Sequence, residues 1–494
     1  MKPELILIII GGYFLTLLLI SYFTGRKADN AAFFLGNRKS PWYIVSFGMI
    51  GASLSGVTFI SVPGWVLTSQ MSYMQMVLGY LAGYAVIANV LMPLYYKLEL
   101  TSIYTYLDGR FGNVSYKTGA SFFLLSRIIG ASFRLYLVAR VLQIAVFDAW
   151  SIPFWVTVLI TIVLIWLYTN RGGIRTIIWT DTLQTFSMLT AVTITIIFLS
   201  KTMNLSFSGI VDTVTGSDFG RIFVLSDWNA ENHFIKYFLS GMFITIVMTG
   251  LDQDMMQKNL SCRNIREAKK NMYWMSATLI PVNLLFLTLG VLLATFALNS
   301  GMALPAKSDD LFPMLATGGH LPQIVGITFV IGLVAAAYSS ADSALTALTT
   351  SFTVDILNTI GKTEEEVRRM RKKVHLGVSA VLAIVIFIFE LINNESVIAS
   401  IFKVAGFTYG PLLGLYAFGL FTTRELKDRW VPYICIGAPI VAYLDRLIIE
   451  WIFKGYEMGF EFLIMNGLYT FVGLWIISRK RGPRPEANSN SSDS

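Results

Sequence analysis

The sequence has few charged residues and almost no cysteine or histidine. Only 14% of its 494 residues are Asp, Glu, Lys or Arg, whereas a soluble protein carries about 25%. Two cysteines, Cys262 and Cys435, are too few for a disulfide framework. The three histidines lie far apart without HExxH spacing, and the chain has no phosphate-binding GxxxxGK[ST] motif. We therefore expect neither a metal-dependent hydrolase nor an ATPase, and no enzymatic activity.

What the sequence has in abundance is apolar residues, which make up 55% of the chain and recur in runs of 18 or more. Such runs predict transmembrane helices, because only helices and closed barrels satisfy their backbone hydrogen bonds in lipid. The chain is therefore predicted to be an all-α integral membrane protein in a lipid bilayer. Its formal net charge of +8 does not indicate nucleic-acid binding, because the positive residues lie in short loops between the apolar runs.

The pattern predicts about thirteen transmembrane helices in one domain over residues 1–480. The first run lacks the flanks of a cleaved signal peptide, so we expect it to be retained. Residues 481–494 are polar and predict a disordered cytoplasmic tail. The predicted spans are 4–24, 43–72, 73–97, 118–148, 152–170, 176–200, 234–257, 271–298, 321–357, 374–392, 395–421, 430–450 and 460–478.

The distribution of Lys and Arg predicts the orientation. If the N-terminus lies outside, most of the 38 Lys and Arg residues fall in the inner segments, as the positive-inside rule requires. Lys2 lies outside in this arrangement, whereas Lys27, Arg481 and Arg484 lie inside. We therefore expect a multi-pass protein of the inner (plasma) membrane with a cytoplasmic C-terminus.

Asp342 is the ionisable residue whose insertion into a membrane costs the most free energy, since it lies about 15 residues from the cytoplasmic end of its span. An ionisable group at this depth has to face a cavity, an ion or a charged partner. On a helix it shares a face with four hydroxyls, those of Ser339, Ser340, Ser343 and Thr346. Oxygen ligands of this kind suit a hard cation. The alternative is that the small residues and serines only allow helices to pack closely.

Other polar residues inside spans leave two interpretations open. Asp181 falls about one and a half turns inside its span and is either a helix-terminal residue near water or part of a site. Asp252 and Gln253 lie at the inner end of the seventh span, where they either line a polar pathway or serve the structure. Asp254 and Gln257 are expected to cap the helix or to pair with Lys258 and nearby arginines.

Four stretches of the sequence stand out: "YTNRGGIRTIIWTDTLQ" (168–184), the serine cluster with its following "TVDI", "GASLSGVTF" (51–59) and "QDMMQKNL" (253–260). Together they resemble the sodium:solute symporter family. The resemblance covers nearly the whole chain and implies a LeuT-type fold of two inverted five-helix repeats. One helix precedes the repeats and two follow them. Repeat one would span about 43–200 and repeat two about 234–421, with the second and seventh spans broken beside the substrate. The glycine-rich stretch 406–414 predicts a further interruption in the eleventh span.

The resemblance also implies sodium as the coupling ion. The matching positions for the main sodium site are Gly51, Leu54 and Ala336 through carbonyls, and Ser339 and Ser340 through hydroxyls. A second sodium maps onto Asp181, Asp342 and Ser343. A hydroxyl residue is common in the family where this chain has Asp342, so proton coupling at the second site stays open.

By the same resemblance, the solute pocket follows the first break and includes polar residues of nearby spans. Arg127 and Arg134 are seven residues apart on one helical face, and either can hold a carboxylate. The hydroxyl-rich pocket favours a sugar or sugar derivative, including sugar acids, as the solute. The alternatives are a proton-coupled symporter, an importer of a small carboxylate or amino acid, and a sodium-gated sensor. We expect no obligate protein partner. The predicted substrate residues are Ser53, Ser55, Thr58, Gly79, Arg134, Asp252, Gln253, Phe407 and Tyr409.

We predict that Ser340→Ala abolishes sodium-stimulated uptake, because the substitution removes one of the two hydroxyl ligands of the main sodium site. Uptake into vesicles with an imposed sodium gradient measures the effect. Unchanged sodium dependence in the variant would remove Ser340 from the site.

Overall fold

The structure is a computed structural model that describes residues 3–26, 29–392, 397–454, 456 and 458–480. Lys2, Lys27 and the predicted tail at 481–494 lie outside the described residues. Nearly all of the rest is helical. The α-helices are α1 (Pro3–Gly25), α2 (Asn30–Leu35), α3 (Trp42–Ser69), α4 (Tyr73–Val86), α5 (Met92–Lys97), α6 (Thr105–Arg110), α7 (Asn113–Leu142), α8 (Phe154–Gly172), α9 (Ile174–Thr202), α10 (Phe207–Gly216), α11 (Phe234–Thr245), α12 (Gln253–Leu260), α13 (Ile265–Asn299), α14 (Leu311–Thr317), α15 (Gln323–Ser351), α16 (Glu364–Ile392), α17 (Val397–Phe421), α18 (Val431–Ile452) and α19 (Phe462–Ile477).

Each of the thirteen predicted spans coincides with a helix or helix pair. Among the described residues, nine helical stretches are long and apolar enough to cross a membrane, and the bent pair α11–α12 is a tenth. One of the nine, Trp42–Lys97, contains two of the predicted spans, and two shorter apolar helices lie at Phe154–Thr169 and Phe462–Ile477. The all-α membrane architecture is confirmed, whereas the count of thirteen stays a prediction. The strands are β1 (Glu425–Leu426) and β2 (Ser478–Arg479), which pair antiparallel near the end of the described chain.

The second predicted span is broken, as its "GASLSG" sequence indicates. Within α3, Ser55 has φ 54° and ψ 171°, outside the helical region. A residue in this conformation interrupts the hydrogen-bond ladder, so carbonyls in the preceding turn lose their intrahelical donors. The break lies in the interior of the protein, because Leu54 and Ser55 are both buried.

The seventh predicted span is broken too. The segment Phe234–Gly250 and the helix α12 meet at an angle of 65°. Asp252 caps α12, since its Oδ1 accepts hydrogen bonds from the amides of Asp254 at 2.9 Å and Met255 at 3.4 Å.

The interruption expected in the eleventh span is wrong: α17 continues through 406–414 as a helix with Pro411 inside it. The glycines there serve packing instead, since a Cβ at Gly410 would come within 2.2 Å of the Asn466 amide on α19.

The serine-rich helix α15 lies in the centre of the bundle. It packs against α9, α3 and α7, and every residue from 338 to 351 is buried. Small residues make this possible: a Cβ at Gly332 would come within 2.7 Å of Phe59 on α3 and 2.8 Å of Ala191 on α9. The sequence therefore places the Ser/Asp cluster where three other helices surround it.

A second close packing joins α4 to α11. A Cβ at Gly79 would lie 2.1 Å from the carbonyl oxygen of Phe238, and one at Gly241 would lie 2.2 Å from the carbonyl oxygen of Met76. The two backbones touch because both contact positions lack a side chain. Gly79 is therefore a packing residue between α4, which follows the broken helix α3, and α11, which precedes the second break.

We predict that Gly79→Ala lowers the thermal stability of the protein in detergent, because α4 and α11 have to move apart. Overpacking of this kind costs about 1–3 kcal/mol. Gly130→Ala on α7 is the matched control, since a Cβ at Gly130 meets no heavy atom within 4 Å. Equal melting temperatures for the two variants would contradict the packing role.

Candidate solute and sodium sites

A cavity lies beside the break in α3. It is lined by residues of α3, α4, α7, α11, α13 and α17 together with the second break. The three hydroxyl residues predicted for the solute, Ser53, Ser55 and Thr58, all line it. Other polar lining groups come from Tyr80, Tyr84, Thr249 and Asn283. The cavity is therefore rich in hydroxyl groups, which suits a polar solute.

The structure distinguishes the two arginines of α7. Arg127 forms ion pairs with Asp254 through Nη2 and with Asp252 through Nη1, the latter at 3.7 Å. Arg134 also lines the cavity, but no carboxylate that the structure describes lies within 4 Å of it. Arg127 is thus neutralised within the protein, whereas the guanidinium of Arg134 is available to an anion in the cavity.

Asp252 belongs to the second break and joins it to two other helices. Its Oδ2 accepts a hydrogen bond from the hydroxyl of Tyr409 on α17 and faces Arg127 on α7. Neither Asp252 nor Tyr409 lines the cavity, but Arg127, with which Asp252 pairs, does. Their arrangement holds α17 and α7 against the break.

Three further predicted substrate residues lie away from the cavity. Gln253 bonds to the backbone of the segment before α6, through its Oε1 to the amide of Ile103 at 3.0 Å and through its Nε2 to the carbonyl of Thr101 at 2.8 Å. Phe407 packs on Phe462, with ring centroids 4.6 Å apart, in a separate pocket. Gly79 contacts α11 as described above. Their role in solute binding stays a prediction, and the cavity lends it no support.

The residues predicted for the main sodium site lie on helices that pack together. Gly51 sits against α9, where a Cβ would come within 2.1 Å of the Thr185 hydroxyl. Leu54 immediately precedes the left-handed Ser55, and Ala336 is fully buried on α15. The Ser340 hydroxyl is buried and has no hydrogen-bond partner. A buried hydroxyl without a partner costs free energy unless something binds it, and a cation is one such ligand.

The two helix breaks differ in how their carbonyl groups are satisfied. At the second break, the Tyr95 hydroxyl donates to the carbonyl of Gly250 and the Tyr104 hydroxyl to that of Leu251, each at 2.8 Å. At the first break, no side chain within the described part of the chain donates to the carbonyls of 51–54. The first break therefore leaves carbonyl oxygens without a side-chain donor, and the use of Gly51 and Leu54 as sodium ligands stays a prediction.

The acids predicted for a second sodium have different partners. Asp181 is engaged at both oxygens: Oδ2 lies 2.7 Å from the Lys258 ammonium, and Oδ1 accepts a hydrogen bond from Ser339 at 2.7 Å. Asp342 accepts hydrogen bonds from the hydroxyls of Tyr168 at 2.8 Å and Ser343 at 3.2 Å. The Thr180 hydroxyl also donates a hydrogen bond to Asp342, at 3.5 Å. Asp342 therefore lies against the turn of α9 that carries Asp181.

Sequence reasoning missed several residues that the fold brings to these sites. Tyr80, Tyr84 and Asn283 line the cavity from α4 and α13, and no motif marks them. Lys258 was expected to pair with its near neighbour Asp254, which lies 4.0 Å away, but its shorter contact is to Asp181 on α9. The i,i+4 spacing of Asp254 and Lys258 indicated their pairing in the sequence. Nothing in the sequence indicated that Lys258 pairs with Asp181 on another helix.

Comparison with known proteins adds the family. The family model for the sodium:solute symporter family matches residues 33–427, which is most of the chain. This chain belongs to that family. The resemblance found in the four sequence stretches is thereby confirmed, and with it the expectation of sodium-coupled transport of a small solute.

Relatives and a solved structure agree with this assignment. The chain is 27% identical to a sodium/sialic acid symporter of Aliivibrio fischeri over 489 residues, which cover 96% of this chain and 91% of the relative. It is 25% identical to a sodium/sialic acid symporter of Proteus mirabilis over 454 residues, 88% of each protein. The solved structure of a Na⁺-coupled sialic acid symporter in a substrate-bound outward-open state superposes with a TM-score of 0.79 at 19% identity, covering 96% of this chain and 99% of the other. This likeness confirms the LeuT-type fold.

We predict that Arg127→Met destabilises the symporter strongly, because Asp252 and Asp254 then become buried carboxylates without this cation. Removing one partner from a buried ion pair costs about 3–5 kcal/mol. Thermal unfolding in detergent measures the loss. Arg134→Met is the matched control on the same helix, and its melting temperature is expected to stay near that of the wild type. A melting temperature of Arg127→Met that stays as near to the wild type as that of Arg134→Met would show that the acids do not depend on Arg127.

Proposed function

We propose that this symporter imports a sugar acid, of which sialic acid is an example, together with sodium. The single observation that carries the proposal is Arg134, a cavity-lining guanidinium without a carboxylate among the described residues within 4 Å. Arginine binds carboxylates through two parallel hydrogen bonds, which makes it a specific partner for such a solute. The relatives named for sialic acid support the same solute class.

The remaining lining of the cavity is matched to the rest of a sugar acid. The hydroxyls of Ser53, Ser55 and Thr58 and the Asn283 amide can donate to or accept from sugar hydroxyls. Tyr80 and Tyr84 add ring surface for the apolar faces of a sugar ring.

The proposed mechanism is alternating access with sodium binding first from the outside. Sodium held by the carbonyls of Gly51, Leu54 and Ala336 and the hydroxyls of Ser339 and Ser340 joins α3 to α15. This fixes the backbone at the break, from which Ser53, Ser55 and Thr58 reach the solute. Each ligand then raises the affinity for the other, because coupling between two binding sites is reciprocal. Low cytoplasmic sodium favours release on the inside.

We further propose the arrangement in the cell that the sequence predicts. The protein lies in the inner (plasma) membrane with its N-terminus outside and its C-terminus in the cytoplasm, as the Lys and Arg distribution indicates. The transporter domain spans 1–480. Repeat one occupies about 43–200 and repeat two about 234–421. The positions of the two broken helices, each near the start of a proposed repeat, support this division.

We predict that Arg134→Gln raises the KM for sialic acid by about 10- to 150-fold, because a hydrogen-bonded charge pair contributes about 1.5–3 kcal/mol. Uptake of radiolabelled sialic acid into proteoliposomes under a sodium gradient gives the KM. The neutral sugar N-acetylmannosamine, added as a competitor, measures the preference for the carboxylate, which the variant should lose.

The matched control is Arg140→Gln, which removes a guanidinium from the same helix outside the cavity lining, where Arg140 donates to the Tyr136 hydroxyl at 3.0 Å. Its KM is expected to stay near that of the wild type. Sialic acid uptake by Arg134→Gln with a wild-type KM would contradict the proposed carboxylate site. If uptake of a sugar acid by wild-type proteoliposomes depends on a proton gradient and not on a sodium gradient, the proposal that sodium is the coupling ion is wrong.

A further inference from the structure

The position of Lys258 bears on how many sodium ions the symporter binds. Its side chain is 1% exposed, and its ammonium lies 2.7 Å from Oδ2 of Asp181, which is equally buried. Asp254, one turn before it on α12, is 4.0 Å away. A buried lysine remains charged only beside such carboxylates. Lys258 therefore forms an ion pair that joins α12, the helix after the second break, to Asp181 on α9.

The other side of Asp181 faces the serine-rich helix. Its Oδ1 accepts a hydrogen bond from Ser339 at 2.7 Å, and Ser339 is also a predicted ligand of the main sodium. The carboxylate thus lies between a hydroxyl of α15 and the ammonium of α12. A second sodium at Asp181 would have to sit beside this ammonium, and two cations at one carboxylate repel each other strongly in a site shielded from water.

Asp342 is the remaining acid of the cluster. Within the described part of the chain it makes no ion pair within 4 Å, and its partners are the hydroxyls of Tyr168, Thr180 and Ser343. It lies within electrostatic range of both Asp181 and Lys258. These oxygens form a ligand set that could accept a free cation once the ammonium is gone.

We propose that the ammonium of Lys258 is the resident cation of the Asp181 site, so that this symporter binds one sodium ion and not two. The tethered charge replaces a diffusible ion and connects the second broken helix to α9 and, through Ser339, to α15. The inference rests on the proposed sodium-coupled function, but the number of bound sodium ions can be measured without any solute.

The test is equilibrium binding of ²²Na⁺ to the purified full-length protein in detergent. We expect one sodium per chain in the wild type and two in Lys258→Met, where Asp181, Asp342, Ser339 and Ser343 are free to bind the second. Lys258→Arg is the matched control, because it keeps a positive charge at the site and should still bind one. In proteoliposomes, the Hill coefficient for sodium should rise from 1 toward 2 in Lys258→Met.

Two sodium ions bound to the wild type would overturn the proposal, and so would a folded Lys258→Met that still binds one. If Lys258→Met does not fold, the wild-type count decides alone: one ion supports the proposal, two overturn it. A wild type that binds one sodium but imports no sugar acid would contradict the proposed solute and leave the role of Lys258 intact.

Discussion

The structure depends on the neutralisation of charge inside a protein that is surrounded by lipid. Arg127 on α7 pairs with Asp252 and Asp254 at the second helix break, and Lys258 extends the same cluster to Asp181 on α9. These charged side chains are all buried, so each has to be neutralised by an opposite charge on another helix. The ion pairs therefore dictate which helices lie together around the centre of the bundle.

The cluster also explains why the two broken helices are unlike each other. The second break is held by charges and by tyrosine hydroxyls that donate to its carbonyls. The first break has a left-handed residue, Ser55, and carbonyls that no described side chain satisfies. A break that is tied to its neighbours can move only with them, whereas one with open carbonyls is suited to exchange a ligand. The proposed sodium and solute sites accordingly lie at the first break, and the second break connects it to the rest of the bundle.

Much of the fold could be predicted from the sequence, because the bilayer restricts a chain to few architectures. The apolar runs gave the positions of the helices, and the stretch 51–56 indicated the first break. The eleventh span shows the limit of such reasoning. Its glycines also predict a break, yet α17 is continuous, since these glycines make room for Asn466 and Thr470 of α19. A glycine that allows close packing and one that allows a bend look alike in a sequence.

The same limit applies to the charged residues. The sequence by itself determined that Asp181, Asp342, Arg127 and Arg134 need partners, because the cost of a charge in lipid depends on its depth in a span. It could not say which partner each one has. Arg127 and Arg134 share one helical face, and only the positions of α12 and α17 decide that the first is paired and the second is open to the cavity. Distances between helices that are far apart in the chain decide this, and only the tertiary structure contains them.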